Sequence, residues 1–448
     1  MFLLYRKDSV ILSKDYKIIF GAGATGLSCA RYFESEGVSY VVVDDNPSPL
    51  ARKALDTINP HIPFCKTNAK MILGASEIVV SPGVALSKPC LVEAKKQGIP
   101  ITGDVAMFGR LADAPMVAIT GSNGKSTVTA MLGHVAACER KGVSVGGNIG
   151  KPCLDLLSKS AKLYILELSS FQLELATNLP LLASVVLNLS PDHLDRYNSL
   201  DHYYGVKGNV YQNCKTAILN RQLQRKYAIP KDSSSISFGL DKPPAASDFG
   251  LADRVICRGR TPLILKEDLP IGGEHNVLNC MATLALGEAI GLEMTAMLEN
   301  IKTFEGLPHR CELVKKTNGI TFYNDSKATN VSSCVAAIES FAQKQNIILL
   351  LGGVSKSNDF SDLKLPVNTF VKKAIVFGES AEEISTTLDG LCDLTRAKTL
   401  AGAFTQAIHS AKSNDIVLLS PACASFDMFE DYRARGNAFK ALVHRYSL

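Results

Sequence analysis

Three α/β domains in series, each built on a mostly parallel sheet, are the architecture this sequence predicts. Three observations carry the prediction: the length, a strand–glycine–helix rhythm that starts three times, and two glycine loops at strand-to-helix junctions. A chain of 448 residues exceeds one domain at roughly 100–200 residues each and suggests two to four. Short Val-, Ile- and Leu-rich runs at 17–20, 40–43 and 78–80 read as buried strands with helices between them. The rhythm restarts at 116–119, 163–166 and 184–187, and again at 347–351, 374–377 and 416–419. Three such blocks imply three α/β units. Boundaries near Gly103 and at Leu307-Pro308 divide the chain into 1–103, 104–306 and 307–448.

Composition narrows the class. With 46% hydrophobic residues, 33 Gly and 19 Pro, the chain has the make-up of a folded protein with room for real cores. The net charge of +5 is the small difference of 48 basic and 43 acidic residues. No basic run with interleaved aromatics occurs, so nucleic acid is not an expected partner. The 12 Cys are scattered without a Cys-x-x-Cys pair, which is the usage of a reducing compartment. Residues 1–15 carry Arg6, Lys7 and Asp8 in place of a signal-peptide core, and no segment reaches the roughly 18 apolar residues of a membrane span. A cytoplasmic protein is expected. The stretch 231–261 is polar, Pro-rich and poorly periodic, and reads as a surface excursion of the middle domain.

The first glycine loop, Gly21-Ala22-Gly23-Ala24-Thr25-Gly26, follows a strand and opens a helix over 27–36. Its glycines permit a tight turn and close approach of backbone to a phosphate at the helix N-terminus. Asp44 and Asp45 end the next strand about 20 residues on, where a dinucleotide fold places its ribose-binding acid. Taken alone, the loop predicts a nicotinamide site and an oxidoreductase. A strand-to-helix turn without a ligand is the plain alternative.

The second loop is Thr120-Gly121-Ser122-Asn123-Gly124-Lys125-Ser126-Thr127. Gly121 and Gly124 free the backbone to wrap a triphosphate, Lys125 supplies a point charge, and the Ser126 hydroxyl can ligate Mg²⁺. Ile119 stands where the usual pattern has its first Gly, so a shorter loop is implied. Mg²⁺ needs further oxygen ligands. Glu167 ends the strand at 163–166 and is either a metal or water contact or a solvated strand end. His193 follows the strand at 184–187 and is a second ligand candidate. A nicotinamide enzyme does not usually carry such an ATP-type loop.

At this point the chain resembles a family. The Gly-Ser-Asn-Gly-Lys-Ser-Thr loop, Leu166-Glu167-Leu168-Ser169-Ser170-Phe171-Gln172 and Asp192-His193-Leu194-Asp195-Arg196-Tyr197 look like the Mur ligases, the ATP-dependent amide-forming enzymes of peptidoglycan assembly. The likeness continues through His275-Asn276-Val277-Leu278-Asn279 and Gly306-Leu307-Pro308-His309-Arg310. Two blocks, Asn324-Asp325-Ser326-Lys327-Ala328-Thr329-Asn330 and Ser420-Pro421-Ala422-Cys423-Ala424-Ser425-Phe426-Asp427, look like those of the members that add D-glutamate to UDP-N-acetylmuramoyl-L-alanine. The resemblance runs from about Lys17 to the C-terminus.

It implies an N-terminal Rossmann-like domain, a central P-loop ATPase-like domain with a parallel sheet, and a C-terminal Rossmann-like domain. It also reassigns the first loop from a nicotinamide to the UDP of the substrate. Gly23 and Gly26 would then cradle the diphosphate, with Ala24 and Thr25 near the uridine and Asp44 and Asp45 by the uracil. Asn46 stands where the family pattern has Arg, so a guanidinium stack on uracil is missing. Ser81 and Gly83 match a second phosphate-side turn, and Asn148 would meet the UDP-sugar.

For ATP the resemblance implies Gly121, Ser122, Asn123, Gly124, Lys125, Ser126 and Thr127, with Asn279, Arg310 and Asp325 at adenine, phosphate and ribose. Ser126, Glu167 and His193 would hold Mg²⁺, joined by Lys207 if carbamylated. Without the family, Lys207 reads as a surface lysine on an amphipathic helix. Thr329, Lys356, Ser425, Phe426 and Tyr432 are nominated for D-glutamate, Tyr432 standing where Phe is often found. Lys125, His193, Lys207, Lys327 and Lys356 complete the catalytic set. The implied cofactors are ATP and Mg²⁺, the implied partners are the two substrates alone, and a monomer is expected.

The chemistry suits these residues. A carboxylate is a poor electrophile, and ATP converts it to an acyl phosphate that an amine attacks. Phosphoryl transfer needs positioning and charge neutralisation more than a nucleophilic side chain. Cys423, with no His assignable to it, reads as a buried turn residue. The readings that compete are folylpolyglutamate synthase, a sibling ligase with another amino acid, an NAD-dependent oxidoreductase resting on the first loop and Asp44, and a nucleotide-binding regulator without catalysis.

Overall fold

The computed structural model describes residues 15–191, 196–223, 226–341, 345–355 and 359–446. His193 and Lys356 lie outside the described residues. The described strands form three sheets of five, nine and six strands.

The first sheet runs Phe64–Lys66, Tyr40–Asp44, Lys17–Phe20, Glu77–Val80, Ile101–Thr102, every neighbour parallel. Its three central strands are buried along almost their whole length, which is why they read in sequence as unbroken Val/Ile runs. The helix after Lys17–Phe20 begins at Ala24, directly on the glycine loop, with Gly23 as its N-cap. A Cβ at Gly26 would lie 1.9 Å from the Gly21 carbonyl oxygen, so the loop closes this tightly only with glycine there.

The central sheet begins at one edge with Val143–Gly147, Leu163–Glu167, Met116–Thr120, Leu181–Val186 and Cys214–Asn220, all parallel. It continues through Ser234–Phe238, Phe249–Ala252, Val255–Arg258 and Thr261–Leu265, the last two pairings antiparallel. This corrects the reading of 231–261 as an irregular excursion. The segment belongs to the sheet and supplies much of its far edge. Its strands are four or five residues long and half-exposed, so they carry neither a buried run nor enough alternation to register as strands. Asp253, at φ 55°, makes the tight turn between the two strands of its hairpin.

The third sheet runs Glu312–Thr317, Ile320–Asn324, Ile416–Leu419, Ile347–Gly352, Val371–Phe377, Asp393–Arg396, parallel except for the first pair. Arg435 is buried and, among the described residues, forms no ion pair. It donates to the carbonyls of Ser326, Cys423, Ala424 and Gly352 and to the Ser326 hydroxyl. Burial draws its pKa down to about 10. It pins the two turns that leave the C-terminal ends of the sheet.

One core joins the first two domains. Phe33, on the helix Ala24–Ser35, and Val42 of the first sheet belong to the same apolar cluster as Phe108, Tyr164 and Leu166. Phe108, on the helix Asp104–Leu111, meets Tyr164 of the central sheet edge-on, centroids 4.8 Å apart. Replacing Phe108 with Ala should cost about 3–5 kcal/mol through lost burial and the cavity left behind. Denaturant titration followed by near-ultraviolet circular dichroism checks this, and a loss below about 1 kcal/mol would contradict that seating.

Candidate active site

The register of the central sheet brings distant motifs together. Ile119 pairs with Glu167, and Thr120 with Val186. The second glycine loop therefore leaves its strand between the end of one neighbour, at Glu167, and the loop that follows the other. This is the crevice beyond the carboxyl ends of a parallel sheet, the usual place for a ligand.

Gly121 and Gly124 take φ of 147° and 82°, values that disfavour a side chain. A Cβ on Gly124 would also lie 2.6 Å from Asn279 Oδ1, so loop and helix Glu274–Ala289 touch there. Lys125 Nζ donates to the carbonyls of Gly121 and Ser122, each at 2.9 Å. The Asn188 side chain grips Asn123 on both sides, accepting from its N–H at 2.8 Å and donating to its carbonyl at 3.0 Å. Ser190 N–H donates to the Ser122 hydroxyl at 2.9 Å, which in turn donates to the Ser190 carbonyl.

Glu167 is 2% exposed. Its Oε1 accepts from Asn148 Nδ2 at 2.7 Å, and its Oε2 is buried with no hydrogen-bond partner among the described residues. Lys207 is also 2% exposed, the opposite of the surface lysine that the helix pattern alone suggests. It closes the helix Leu200–Lys207, donates to the Gly121 carbonyl at 2.9 Å, and lies 4.7 Å from the centre of the Tyr203 ring. A buried carboxylate oxygen without a donor calls for compensation. Glu167 Oε2, with the Ser126 hydroxyl on the adjoining loop, provides the hard oxygen donors that suit Mg²⁺. Among the described residues no cluster of three His, Cys, Asp or Glu side chains is assembled.

Two cavities meet at this loop. One, of about 260 Å³, is lined by Lys125, Asn148, Glu167, Lys207, Lys327 and Thr329 among others. The second, of about 210 Å³, takes in Thr127, His275, Asn279 and Asp325. Asn123, Gly124, Arg310, Lys327 and Ser333 border both. Arg310 reaches across to the loop and donates to the Ser126 hydroxyl at 2.7 Å. Asp325 is buried at the end of Ile320–Asn324, beside the end of Ile416–Leu419, and accepts from the Ser420 hydroxyl at 2.7 Å and the Cys311 N–H at 3.1 Å. Burial pushes its carboxyl up to about 7 against those two donors. His275, pushed down to about 4 by burial, is a neutral imidazole near pH 7.

The third domain closes on the loop through a polar clasp. Asn123 Nδ2 donates to the Ser332 hydroxyl at 2.9 Å, and its Oδ1 accepts from the Ser333 hydroxyl at 2.9 Å and from Asn330 Nδ2 at 3.5 Å. Asn330 caps the helix Val331–Ser340 by accepting from the Ser333 N–H. Asn188, Ser190, Ser332 and Ser333 have no role in the sequence reading. An Asn two residues beyond an apolar strand is a weak signal, and nothing local marks the two serines.

Of the D-glutamate candidates, Thr329 lines the first cavity. Lys327 Nζ lies 4.2 Å from the centre of the Tyr432 ring, linking that ring to the same cavity. Ser425 is buried and not among the cavity-lining residues, its carbonyl accepting from the Phe429 N–H at 2.8 Å, and Phe426 is 74% exposed. Cys423 is buried, its thiol pushed up to about 12, as befits a structural residue.

At the first loop, Asp44 serves the backbone. It accepts from the Ala22 and Asn46 N–H groups, both at 2.9 Å, and so braces the glycine turn. Asp45 pairs with Lys88 at 2.5 Å and accepts from Thr67, partners that hold its carboxyl below the usual range. The Ser81 hydroxyl donates to the Gly21 carbonyl at 3.2 Å, joining the second turn to the first.

Comparison with known proteins agrees with this geometry. Residues 15–103 match the family model of the Mur ligase MurD-like N-terminal domain, 119–287 the Mur ligase middle domain, and 309–423 the Mur ligase glutamate ligase domain. The UDP-N-acetylmuramoylalanine–D-glutamate ligase of Nitrosococcus oceani is 43% identical over 434 residues, covering 95% of this chain and 96% of that protein. The enzyme of the same name from Acinetobacter baylyi is 42% identical, covering 95% and 97%. The crystal structure of UDP-N-acetylmuramate–alanine ligase from Thermotoga maritima superposes with a TM-score of 0.60 at 19% identity, over 96% of this chain and 99% of that one. That last likeness concerns the fold. With family models over all three units and relatives above 40% identity along nearly the whole length, the chain belongs to the Mur ligase family.

Proposed function

We propose that this chain is an ATP-dependent ligase that joins D-glutamate to UDP-N-acetylmuramoyl-L-alanine during cytoplasmic peptidoglycan precursor synthesis. The observation that carries the reading is the convergence of Lys125 and Lys207 on the Gly121 carbonyl, with Glu167 in the same cavity, where two cavities bordered by the third domain meet. The relatives that span nearly the whole chain bear the name of that activity. In functional terms the chain divides into 1–103 for the UDP-substrate, 104–306 for ATP and 307–448 for the amino acid.

In this reading the adenosine of ATP occupies the cavity of His275, Asn279 and Asp325, and the phosphates turn over Gly121 and Gly124 towards Lys125 and Arg310. The Asp325 carboxylate accepts from the ribose. Glu167, Ser126 and His193 would hold Mg²⁺, which would supply neutralisation of phosphate charge. Asn148, fixed by Glu167, faces the UDP-sugar. The substrate carboxylate takes the γ-phosphoryl group, ADP departs, and the amine of D-glutamate then displaces phosphate to leave the amide. Lys125 and Arg310 stabilise the charge that moves between these groups. The polar clasp from Asn123 to Ser332 and Ser333 keeps water from the acyl phosphate. Thr329, Lys327 and Tyr432, with Lys356 and Ser425, receive D-glutamate on the third-domain side, and the enzyme acts as a monomer.

Lys207 is the residue for which we propose carbamylation. Two ammonium groups, those of Lys125 and Lys207, donate to the same carbonyl. A carbamate on Lys207 converts one of them to an anion able to serve Mg²⁺. With ¹³C-bicarbonate the wild-type protein should show a carbamate carbonyl resonance that Lys207→Ala lacks. Identical spectra would remove the modification from the scheme.

Phosphate release is expected only with UDP-N-acetylmuramoyl-L-alanine, ATP and D-glutamate together, and should fall by about 10³-fold or more in Lys125→Ala. Stimulation by L-alanine or a dipeptide in place of D-glutamate would reject this substrate assignment. The ionised, acceptor-only form of Asp325 fills as the pH rises through its value of about 7. Affinity for adenosine, whose lack of phosphates keeps their titration out of the measurement, should therefore rise between pH 6 and 8 in the wild type and stay flat in Asp325→Asn. A flat wild-type profile would place the ribose elsewhere.

A further inference from the structure

The proposed reaction spans a domain boundary: the UDP end of one substrate is held by the first domain, while its carboxylate must meet the phosphate loop of the second. Reacting atoms need to approach within about 3–3.5 Å, and a misplacement of about 1 Å can cost 10²-fold in rate. Some contact has to set that register. The shared apolar core fixes no polar group in direction, and the Arg31–Asp155 ion pair that crosses the same boundary is the more open one, its arginine side chain 46% exposed.

Arg196 has the geometry for it. Its guanidinium donates from Nη1 to the Pro82 carbonyl at 2.9 Å and from Nη2 to the Val84 carbonyl at 3.2 Å, both on the turn after Glu77–Val80 in the first domain. On the second-domain side Nη2 also donates to Glu174 at 2.9 Å, and the guanidinium carbon lies 4.4 Å from the centre of the Phe171 ring. Arginine and glutamate side chains are only 13% and 12% exposed, so the pair is shielded from the screening that weakens surface ion pairs.

Both ends of this contact lead to the site. Ser81, next to Pro82, donates to the Gly21 carbonyl of the first glycine loop. Phe171 borders the cavity of Lys125 and Glu167, four residues after Glu167 itself. A link from glycine loop to cavity therefore runs through one rigid, planar side chain.

We infer that Arg196 is a positioning residue, which holds the UDP-substrate domain in the register that delivers the substrate carboxylate to the phosphate loop. The inference rests on the assignment of the first domain to the UDP-substrate. A planar fork can serve two carbonyls and a carboxylate while stacked on a ring, whereas a lysine ammonium is a point charge that keeps the pairing and loses the register.

The test uses the full-length enzyme with Arg196→Lys and Arg196→Ala. Steady-state phosphate release is measured together with equilibrium binding of UDP-N-acetylmuramoyl-L-alanine and thermal unfolding. For Arg196→Lys, kcat should fall by about tenfold or more while the dissociation constant of the UDP-substrate and the KM for ATP stay within about threefold. Arg196→Ala should lose more in kcat with the same split. Assays run well below both melting temperatures keep simple destabilisation out of the rates. An unchanged kcat in Arg196→Lys would overturn the inference, and so would a kcat loss that vanishes on cooling. A rise in the dissociation constant that accounts for the whole loss of kcat/KM would make Arg196 a binding group and would also overturn it. A wild-type enzyme that fails to bind the UDP-substrate would remove the underlying assignment, an outcome visible before any variant is made.

Discussion

The carbonyl of Gly121 receives two lysine ammonium groups, and the rest of the site is arranged around keeping them there. Two like charges on one acceptor, one of them buried, repel each other unless an anion or a modification lies nearby. The fold supplies the constraint through backbone: Gly121 takes a φ few side chains adopt, and Asn188 holds Asn123, two residues on, through both its N–H and its carbonyl. Glu167 answers the positive charge from the adjacent strand, steered by Asn148. A site of this charge suits a triphosphate with its metal, the ligands proposed for it.

Sheet register does the assembling. Parallel pairing places every strand's C-terminal end on one side, so groups about forty to eighty residues apart in the chain become neighbours without any loop having to travel far. The third domain repeats the device. Asp325 and Ser420 meet because their strands lie side by side, and Arg435 fixes the turns beyond them from behind. The two crevices then face each other across the clasp centred on Asn123.

What the sequence made legible follows from where water is absent. Buried parallel strands are continuous apolar runs, and every one named from the sequence is present within a few residues. Glycines that a Cβ would jam, such as Gly26 and Gly124, punctuate the chain visibly. The strands of 231–261 stayed hidden because half their residues face solvent and each is too short for a period to show. Lys207 was illegible for another reason. A helix of eight residues has a face for each outcome, and only the tertiary position of Gly121 decides which face is inside. Asp44 looks like a ligand group because it ends a strand after a glycine loop, yet its oxygens are engaged by two backbone amides, a partnership no spacing rule reveals.

The antiparallel hairpin that ends the central sheet also has a bearing on how the molecule meets its own copies. An open sheet edge is a template for another strand, and the nine-stranded sheet ends in one. Here the outermost strand, Thr261–Leu265, carries Pro262, which has no N–H to offer, opposite Cys257 beside a break in register. The strand is five residues long and flanked by Arg254 paired with Glu267. The polar, proline-containing composition that concealed this segment as a strand is thus the same property that leaves it a poor seed for strand-to-strand aggregation.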